Sequence, residues 1–219
     1  MKFGIIKERK NPPDRRVVFT PEELVRLQSE HPEAEIKVES SDIRIFSDDQ
    51  YRNLGLNVTA DMSDCDVLFG VKEVPVDALI SNKKYFFFSH TIKKQPYNRK
   101  LLKAILDKNI ELYDHETIVD ATNHRLIGFG RYAGLVGAYN GFRGFGIKYD
   151  LFTLPKAETL SGKEDLIARL KRQTLPNIKI VLTGHGKVGM GAKEILDGIK
   201  IKQVSLEDFL NKNYTEPVY

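Results

Sequence analysis

The chain has 219 residues and a net charge of +4, with 41% hydrophobic and 29% charged residues. This composition is typical of a globular protein with one large or two smaller domains, and the mild, evenly spread charge gives no indication of nucleic-acid binding. No apolar run approaches the length of a membrane span, and the charged N-terminus is not a signal peptide. The single cysteine, Cys65, cannot form an internal disulfide and is interpreted as a small buried side chain, which fits a reducing cytoplasm.

The first half of the chain alternates between apolar strands and amphipathic helices. Strands are predicted at 3–7, 35–39, 66–71, 85–88 and 110–113. Helical segments are predicted from Thr20, from Ser47 to Gly55, at 77–80 and at 98–108. Thr20 with Glu23, and Ser47 with Gln50, have the spacing of capping boxes. The buried face of the last helix is predicted to consist of four apolar residues, Leu101, Leu102, Ile105 and Leu106.

Two of the predicted strands end in ionisable residues. Lys72-Glu73 follows one strand and Ser89-His90 follows the next. Strands that alternate with helices predict a mostly parallel sheet, in which ligands bind beyond the carboxyl ends of the strands. The alternative is that such residues belong to solvated loop ends, which is how we interpret the lysine pairs Lys83-Lys84 and Lys93-Lys94. The other histidines are interpreted as surface or structural residues: His31, His115, His124 and His185.

The second half of the chain differs from the first in composition. Residues 130–141 are rich in Gly and Ala yet keep helical spacing, which predicts a helix packed closely against another backbone. An amphipathic helix follows from Ser161, and then come an apolar strand at 178–183, a glycine turn, a helix and a possible further strand at 199–204. This order is typical of a βαβ unit.

Gly184, Gly186 and Gly189 fit the pattern G-x-G-x-x-G. In a dinucleotide-binding unit the first glycine makes a tight turn, the second admits the pyrophosphate and the third packs helix against strand. The acid that binds the ribose ordinarily ends the second strand, where this chain has Ser205, with Glu207 and Asp208 just beyond as alternatives. We interpret the turn as a nucleotide site. The alternative is an ordinary strand–turn–helix whose glycines serve packing alone.

These patterns predict an α/β fold with two Rossmann-like doubly wound domains. An α/β domain with a site at its strand ends is expected at 1–128, an interdomain helix and linker at 129–174, and the start of a nucleotide-binding domain at 175–219. Because a complete doubly wound domain needs several more strands, we expect the second domain to be incomplete and the chain to be an N-terminal fragment.

Four stretches carry a family resemblance: Arg16 to Pro21, Lys72-Glu73, His90 to Gln95, and Gly128 to Gly134. On these residues the chain resembles the alanine dehydrogenase/transhydrogenase superfamily, and looks most like its lysine-forming saccharopine dehydrogenase branch. The Arg-x-x-x-Thr-Pro element is shared with alanine dehydrogenases, whereas the last two stretches are specific to the saccharopine branch. The resemblance implies two nucleotide-binding-like domains with a cleft between them, and NAD-dependent oxidation of saccharopine to lysine and 2-oxoglutarate.

The resemblance also implies roles for individual residues. Lys72 and His90 would be the acid–base pair, with Glu73 and Glu116 as carboxylates that tune it. Substrate contacts are implied for four residues: Arg16, Gln95, Arg125 and Phe129. The glycine pattern and the resemblance together predict six cofactor contacts: Gly184, Gly186, Lys187, Val188, Gly189 and Ser205. Arginines suit a substrate with several carboxylates, since a guanidinium binds a carboxylate in bidentate fashion.

Three functions compete on this evidence. The first is an NAD-dependent saccharopine dehydrogenase, the second is an alanine dehydrogenase, and the third is a nucleotide-binding module without catalysis. Retention of Lys72 and His90 argues against the third. The expected partner is a small amino-acid substrate in a cytoplasmic protein, with no nucleic-acid, membrane or metal partner. The sequence leaves the oligomeric state and the choice between NAD and NADP open.

Overall fold

A computed structural model describes residues 1–219 of the chain. The chain divides into two units, Met1–Gly128 and Phe129–Tyr219. Both combine helices with parallel strand pairing, so the predicted α/β class is confirmed. None of the helices has the combination of length and apolar character that crossing a membrane requires.

The first unit is built on a six-stranded sheet. Its strands are β1 (Lys2–Ile5), β2 (Glu35–Glu39), β3 (Asn57–Thr59), β4 (Val67–Phe69), β5 (Lys84–Phe87) and β6 (Glu111–Asp114). They lie in the order β3-β2-β1-β4-β5-β6, and all neighbours are parallel. The order reverses between β1 and β4, which is the doubly wound arrangement and opens a crevice at the carboxyl ends of these two strands.

Five of the six strands are predicted from the sequence, and β3 is missed. It has three residues, of which only Val58 is strongly apolar, and it pairs with β2 alone at the edge of the sheet. A strand this short shows no periodicity in the sequence.

Three helices and three 3₁₀ turns connect the strands. The helices are α1 (Pro21–Glu30), α2 (Asp48–Arg52) and α3 (Arg99–Asp107), and the 3₁₀ turns are Val76–Ala78, Thr91–Lys93 and Pro96–Asn98. Both predicted capping boxes form. Thr20 Oγ1 accepts from the Glu23 N–H, and the Glu23 carboxylate accepts from the Thr20 N–H at 2.7 Å. Ser47 and Gln50 make the same reciprocal pair at the start of α2.

Apolar side chains cover both faces of the sheet, as a parallel sheet requires. On one face Leu68 and Phe87 pack with Ile105 of α3, and on the other Val38 packs with Leu24 of α1. This double cover holds the strands in place, so their carboxyl ends form a fixed platform. Cys65 is fully buried in the first of these clusters, as predicted.

The predicted buried face of α3 is wrong for two of its four residues. Leu101 and Ile105 are buried, but Leu102 is 42% exposed and Leu106 is 70% exposed. Consecutive residues lie about 100° apart around a helix, so a neighbour of a buried residue points away from the sheet.

The second unit contains four helices and few strand contacts. The helices are α4 (Gly130–Lys148), α5 (Lys163–Lys171), α6 (Lys187–Gly198) and α7 (Leu206–Asn211), with a 3₁₀ turn at Ala157–Thr159. The predicted strands at 178–183 and 199–204 form no continuous ladder. Each makes one parallel bridge, from Lys179 and from Lys202, and both bridges go to Val218. Val218 therefore lies between the two segments. The sequence does not show this, because the pairing comes from a very short segment.

Glycines allow α4 and α6 to contact each other backbone to backbone. A Cβ on Gly134 would lie 2.0 Å from the Val188 carbonyl oxygen, and one on Gly191 would lie 2.1 Å from the Arg131 carbonyl oxygen. No side chain fits at such distances. The backbone that approaches the Gly/Ala-rich segment is therefore that of α6.

We expect Gly134→Ala to destabilise the second unit, because the added methyl group would overlap the Val188 carbonyl. Overpacking costs about 1–3 kcal/mol. Gly144→Ala, on the same helix, is the matched control: nothing lies within 4 Å of its Cβ position. It should stabilise the helix by up to about 1 kcal/mol. Urea unfolding followed by circular dichroism measures both variants, and equal losses would contradict the packing role of Gly134.

Candidate functional site

The candidate site lies beyond the carboxyl ends of four neighbouring strands in the first unit. Lys72 and Glu73 follow β4, His90 follows β5, and Glu116 follows β6. The segment 8–16 follows β1, which is paired with β4 at the point where the strand order reverses. The sheet thus brings together the ionisable residues that the sequence places at separate strand ends.

Lys72 is half-buried against an aromatic ring. Its Nζ lies 5.5 Å from the centroid of the Phe88 ring. Burial lowers the pKa of the Lys72 ammonium, and the positive charges of Arg16 and Lys10 lower it further, against the opposing attraction of nearby carboxylates. A lysine whose pKa is lowered gives up its proton more readily, which suits a residue that takes part in proton transfer.

His90 has a backbone conformation that is uncommon for a residue with a side chain. Its φ of 55° and ψ of 11° lie in the left-handed region. Its Nδ1 is 3.1 Å from Glu116 Oε2, and its Nε2 is 3.7 Å from Glu73 Oε1. Its ring is near-parallel to that of Phe88 at a centroid distance of 6.1 Å. Phe88 therefore contacts both members of the predicted acid–base pair, and each nitrogen of His90 has a carboxylate within reach.

Glu116 is the shared partner of three basic side chains. Besides His90, Lys93 Nζ lies 3.2 Å from its Oε1, and Arg125 Nη2 lies 2.6 Å from the same oxygen. Burial by itself raises the pKa of this carboxyl, but the hydrogen bonds from His90, Lys93 and Arg125 outweigh it and lower the pKa to about 2. Glu116 is therefore ionised at neutral pH. Lys93 is 47% exposed, in line with its interpretation as part of a solvated face, and its ammonium also contacts this buried carboxylate.

Arg16 and Arg125 are both held by carboxylates. Arg16 forms a fork with Asp14, with its Nε 2.9 Å from Oδ1. This pair lowers the pKa of Asp14. The side chains of Arg16 and Arg125 are 42% and 54% exposed, so both guanidinium groups lie at the solvent boundary of the unit. That position suits the recognition of a carboxylate from solution.

The other two predicted substrate contacts have structural positions of their own. Gln95 is exposed and precedes a 3₁₀ turn, where its carbonyl accepts from the Asn98 N–H at 3.0 Å. Phe129 is the first residue of the second unit and the N-cap of α4, and it is 38% exposed. Their substrate roles stay predictions.

A buried carboxylate that the sequence analysis did not single out links two loops of the site. Asp114 accepts a hydrogen bond from Ser89 Oγ and, at 2.8 Å, from the Glu116 N–H. Ser89 Oγ in turn accepts from the Thr91 N–H at 3.1 Å. Asp114 thereby fixes the residues on both sides of His90 relative to Glu116. A single aspartate at the end of a strand gives no distinctive signal in the sequence.

In the second unit, the glycine turn has the geometry of a dinucleotide turn. Gly184 has a φ of +84°, which favours glycine in a tight turn. A Cβ on Gly186 would meet nothing within 4 Å, whereas one on Gly189 would lie 2.3 Å from the Gly184 carbonyl oxygen. The exposed residues Lys187 and Val188 then begin α6. These features fit a pyrophosphate at the helix N-terminus: a tight turn, an open approach and close packing.

Ser205 caps the short helix α7. Its Oγ accepts from the Asp208 N–H at 3.1 Å. Capping explains a serine at this position by itself, and a ribose contact from Ser205 stays a prediction.

The chain has the features of Rossmann-like α/β proteins. Its first unit has a doubly wound parallel sheet with ionisable residues at the switch point, and its second unit has a glycine turn at the start of a helix. The family model described as "Alanine dehydrogenase/PNT, N-terminal domain" matches residues 4–136. The chain belongs to this family, as the resemblance in the sequence implied.

Curated relatives support the same placement. The chain is 31% identical over 214 residues to the alpha-aminoadipic semialdehyde synthase of Arabidopsis thaliana, a match that covers 88% of this chain and 20% of that protein. It is 26% identical over 192 residues to the saccharopine dehydrogenase (NAD(+), L-lysine-forming) of Yarrowia lipolytica, covering 78% of this chain and 51% of that protein. The chain therefore spans about a fifth of the first relative and about half of the second.

Solved structures share the fold. An L-alanine dehydrogenase aligns with a TM-score of 0.65 and 18% identity, over 100% of this chain and 60% of its own. The transhydrogenase from Sinorhizobium meliloti aligns with a TM-score of 0.63 and 18% identity, over 91% of this chain and 56% of its own. The chain is thus a dehydrogenase-family module related to saccharopine and alanine dehydrogenases.

We expect Glu116→Gln to change the acid stability of the first unit. The pKa of folded Glu116 lies below its ordinary value of 4.5, so its stabilising effect is complete above pH 4.5 and is lost as the pH falls towards about 2. The variant should be less stable than the wild type at neutral pH and should lose less stability over that acid interval. Glu33→Gln, at an exposed position, is the control and should follow the wild type. Urea unfolding at a series of pH values measures this, and parallel curves for Glu116→Gln and wild type would contradict it.

Proposed function

We propose that the protein carrying this chain is a nicotinamide-dependent amino-acid dehydrogenase that oxidises saccharopine with NAD. The observation that carries the proposal is the arrangement of Lys72 and His90 against one Phe88 ring, with carboxylates beside both nitrogens of His90. The arrangement supports acid–base chemistry, because it holds two ionisable groups of different chemistry beyond the carboxyl ends of neighbouring strands.

The substrate class is supported by the charges around that pair. Saccharopine has three carboxylates and a secondary amine. Arg16 and Arg125 lie at the solvent boundary, oriented by Asp14 and Glu116. A guanidinium that is already oriented loses less freedom when it binds a carboxylate.

Two side chains of this chain are suited to the proton transfers that the reaction needs. A secondary amine can be oxidised only in its neutral form, so a base must take its proton. Lys72, with its lowered pKa, suits this role. Hydrolysis of the imine then needs a base for the attacking water and an acid for the departing amine. His90 is suited to exchange these protons, because a neutral imidazole has one nitrogen that donates and one that accepts, and Glu116 holds the ring in place.

The cofactor would be held by the glycine turn of the second unit, where a Cβ at Gly186 would meet open space. When bound, a nicotinamide supplies the hydride acceptor. Gly184, Gly186, Lys187, Val188 and Gly189 would bind its pyrophosphate at the start of α6. NAD is preferred over NADP on the resemblance to the saccharopine branch.

Alanine dehydrogenase activity is the second candidate. It is favoured by the Arg16 and Thr20-Pro21 element, which is shared with alanine dehydrogenases, and by the shared fold. The same Lys72 and His90 pair would then act on a primary amine.

We expect the full-length natural protein to form NADH when saccharopine and NAD are supplied, because the site combines carboxylate-binding and acid–base groups. L-Alanine and NADP, each in a separate assay, are the comparisons, and NADH or NADPH absorbance is the readout. Turnover with L-alanine alone would reassign the substrate. If the protein binds NADH but turns over neither substrate, the proposal of a dehydrogenase is contradicted and a nucleotide-binding module without catalysis is favoured.

We expect Lys72→Met and His90→Ala each to lower turnover by about 10²- to 10⁴-fold, the usual effect of losing an acid–base group. The matched controls are Lys103→Met and His31→Ala, which remove an exposed lysine and an exposed histidine of the same unit. Steady-state kinetics with the active substrate measures the effect. Near-normal turnover in both site variants would exclude the proposed pair.

A further inference from the structure

One buried carboxylate beside the site has no role in the mechanism described above. Glu8 follows β1, and only 7% of its surface is exposed. Burying a carboxylate is costly unless hydrogen bonds compensate for the lost hydration. Its position therefore needs an explanation from its partners.

Those partners are two consecutive backbone groups at the predicted acid–base lysine. Glu8 Oε1 accepts from the Val71 N–H at 2.7 Å, and Oε2 accepts from the Lys72 N–H at 2.9 Å. Both oxygens are thus used to hold the chain where β4 gives way to the loop. Few other side chains have the reach and the two acceptors that this arrangement needs.

The main chain does not provide these acceptors itself. The Ile6 N–H donates to the Phe69 carbonyl, and the Gly70 N–H donates to the Phe86 carbonyl. The Phe88 N–H still reaches the Val71 carbonyl, but neither neighbouring strand supplies an acceptor for the N–H groups of Val71 and Lys72. Beyond Phe69, β1 no longer pairs with the chain that leaves β4. Glu8 therefore replaces a strand as the acceptor for the next two N–H groups, because buried backbone donors need a partner.

The position of the Lys72 backbone determines the surroundings of its ammonium. From this backbone the side chain lies over Phe88 and is partly buried, with Arg16, Lys10, Glu73 and Asp14 as the charged groups that act on it. A displaced backbone would move the ammonium towards water. The geometry points to Glu8 as a positioning residue that acts through Lys72. As a role in catalysis, this rests on the function proposed above.

Two other roles are open to a buried carboxylate, and they differ in their effect on Lys72. If Glu8 acted through its negative charge, its neutralisation would lower the pKa of Lys72. If Glu8 were needed only for stability, its loss would leave that pKa unchanged. If Glu8 positions Lys72, its loss should instead raise the pKa of Lys72 towards the ordinary value, because the ammonium becomes more hydrated and moves away from Arg16.

The test is the pH dependence of Lys72 acylation in the full-length natural protein. Wild type and Glu8→Gln are treated briefly with acetic anhydride at a series of pH values, and the modification of Lys72 is quantified by peptide mass spectrometry. The exposed Lys103 is the internal reference. We expect the pKa of Lys72 to rise in Glu8→Gln while that of Lys103 does not move. With the active substrate, we expect kcat to fall at least tenfold and KM to change less than threefold.

Glu39→Gln is the matched control. Glu39, the last residue of β2, is also buried and also accepts a backbone N–H, from Lys7 at 2.9 Å. It also forms an ion pair with Arg9. Glu39→Gln should lower thermal stability without changing the pKa of Lys72 or kcat.

If Glu8→Gln does not fold, Glu8→Asp replaces it. Asp keeps the charge but is too short to span both N–H groups, so positioning again predicts a rise in the pKa of Lys72.

A fall in the pKa of Lys72, or no change in a folded Glu8 variant, would overturn the proposal. A shift of equal size in Glu39→Gln would do so as well, because it would show a general loss of packing. The acylation measurement does not depend on turnover. If the wild-type protein oxidises neither substrate, the proposed function fails, and the pKa of Lys72 still decides whether Glu8 positions this residue.

Discussion

The pairing of β1 with β4 is the interaction on which the site depends. The two strands are in register from Phe3↔Val67 to Ile5↔Phe69, and Gly4 makes the close approach possible, since a Cβ there would lie 2.7 Å from Leu68 Cδ2. Because the strand order reverses at this pair, the chain leaves the two carboxyl ends in opposite directions and a crevice opens between the loops. The same reversal removes the strand partner from the next N–H groups of the chain. These N–H groups therefore need a side-chain acceptor, which explains why Glu8 is buried there.

Three buried carboxylates form the frame of the site, each in a different way. Glu8 accepts from the backbone N–H groups of Val71 and Lys72, Asp114 links the residues on either side of His90 to Glu116, and Glu116 contacts three basic side chains. Each is stable in its position only because donors compensate for the lost hydration. The groups proposed to react, Lys72 and His90, are themselves only partly buried. The frame is thus fixed in the interior, while the reacting groups keep access to substrate and water.

The parts of the site that lie at strand ends can be predicted from sequence, because apolar runs reveal where strands stop. Lys72 and His90 are found in this way, and the helix starts follow from their capping boxes. The strand pattern does not identify the distant partners of these residues: Glu116 is implied by the family resemblance alone, and nothing in the sequence points to Glu8. Glu116 is 26 residues from His90, and Glu8 is 64 residues from Lys72. Which of them meet depends on the order of strands in the sheet, and strand order is not a local property. The same limit applies in the second unit, where the pairing of Val218 with two distant segments has no local signal.

The loop at His90 shows how an unfavourable backbone is retained at a site. His90 and Lys94 both have left-handed backbones and bracket the single 3₁₀ turn Thr91–Lys93. Residues three apart lie on the same side of such a turn, which brings His90 and Lys93 to the same carboxylate of Glu116. A left-handed residue with a side chain costs free energy, of order 1–3 kcal/mol. Here the bonds from Ser89 to Asp114 and from His90 to Glu116 offset that cost. The conformation and these contacts therefore depend on each other. Without Glu116 only the Ser89–Asp114 bond would offset the cost of the left-handed backbone, and without that backbone His90 and Lys93 would not share a partner.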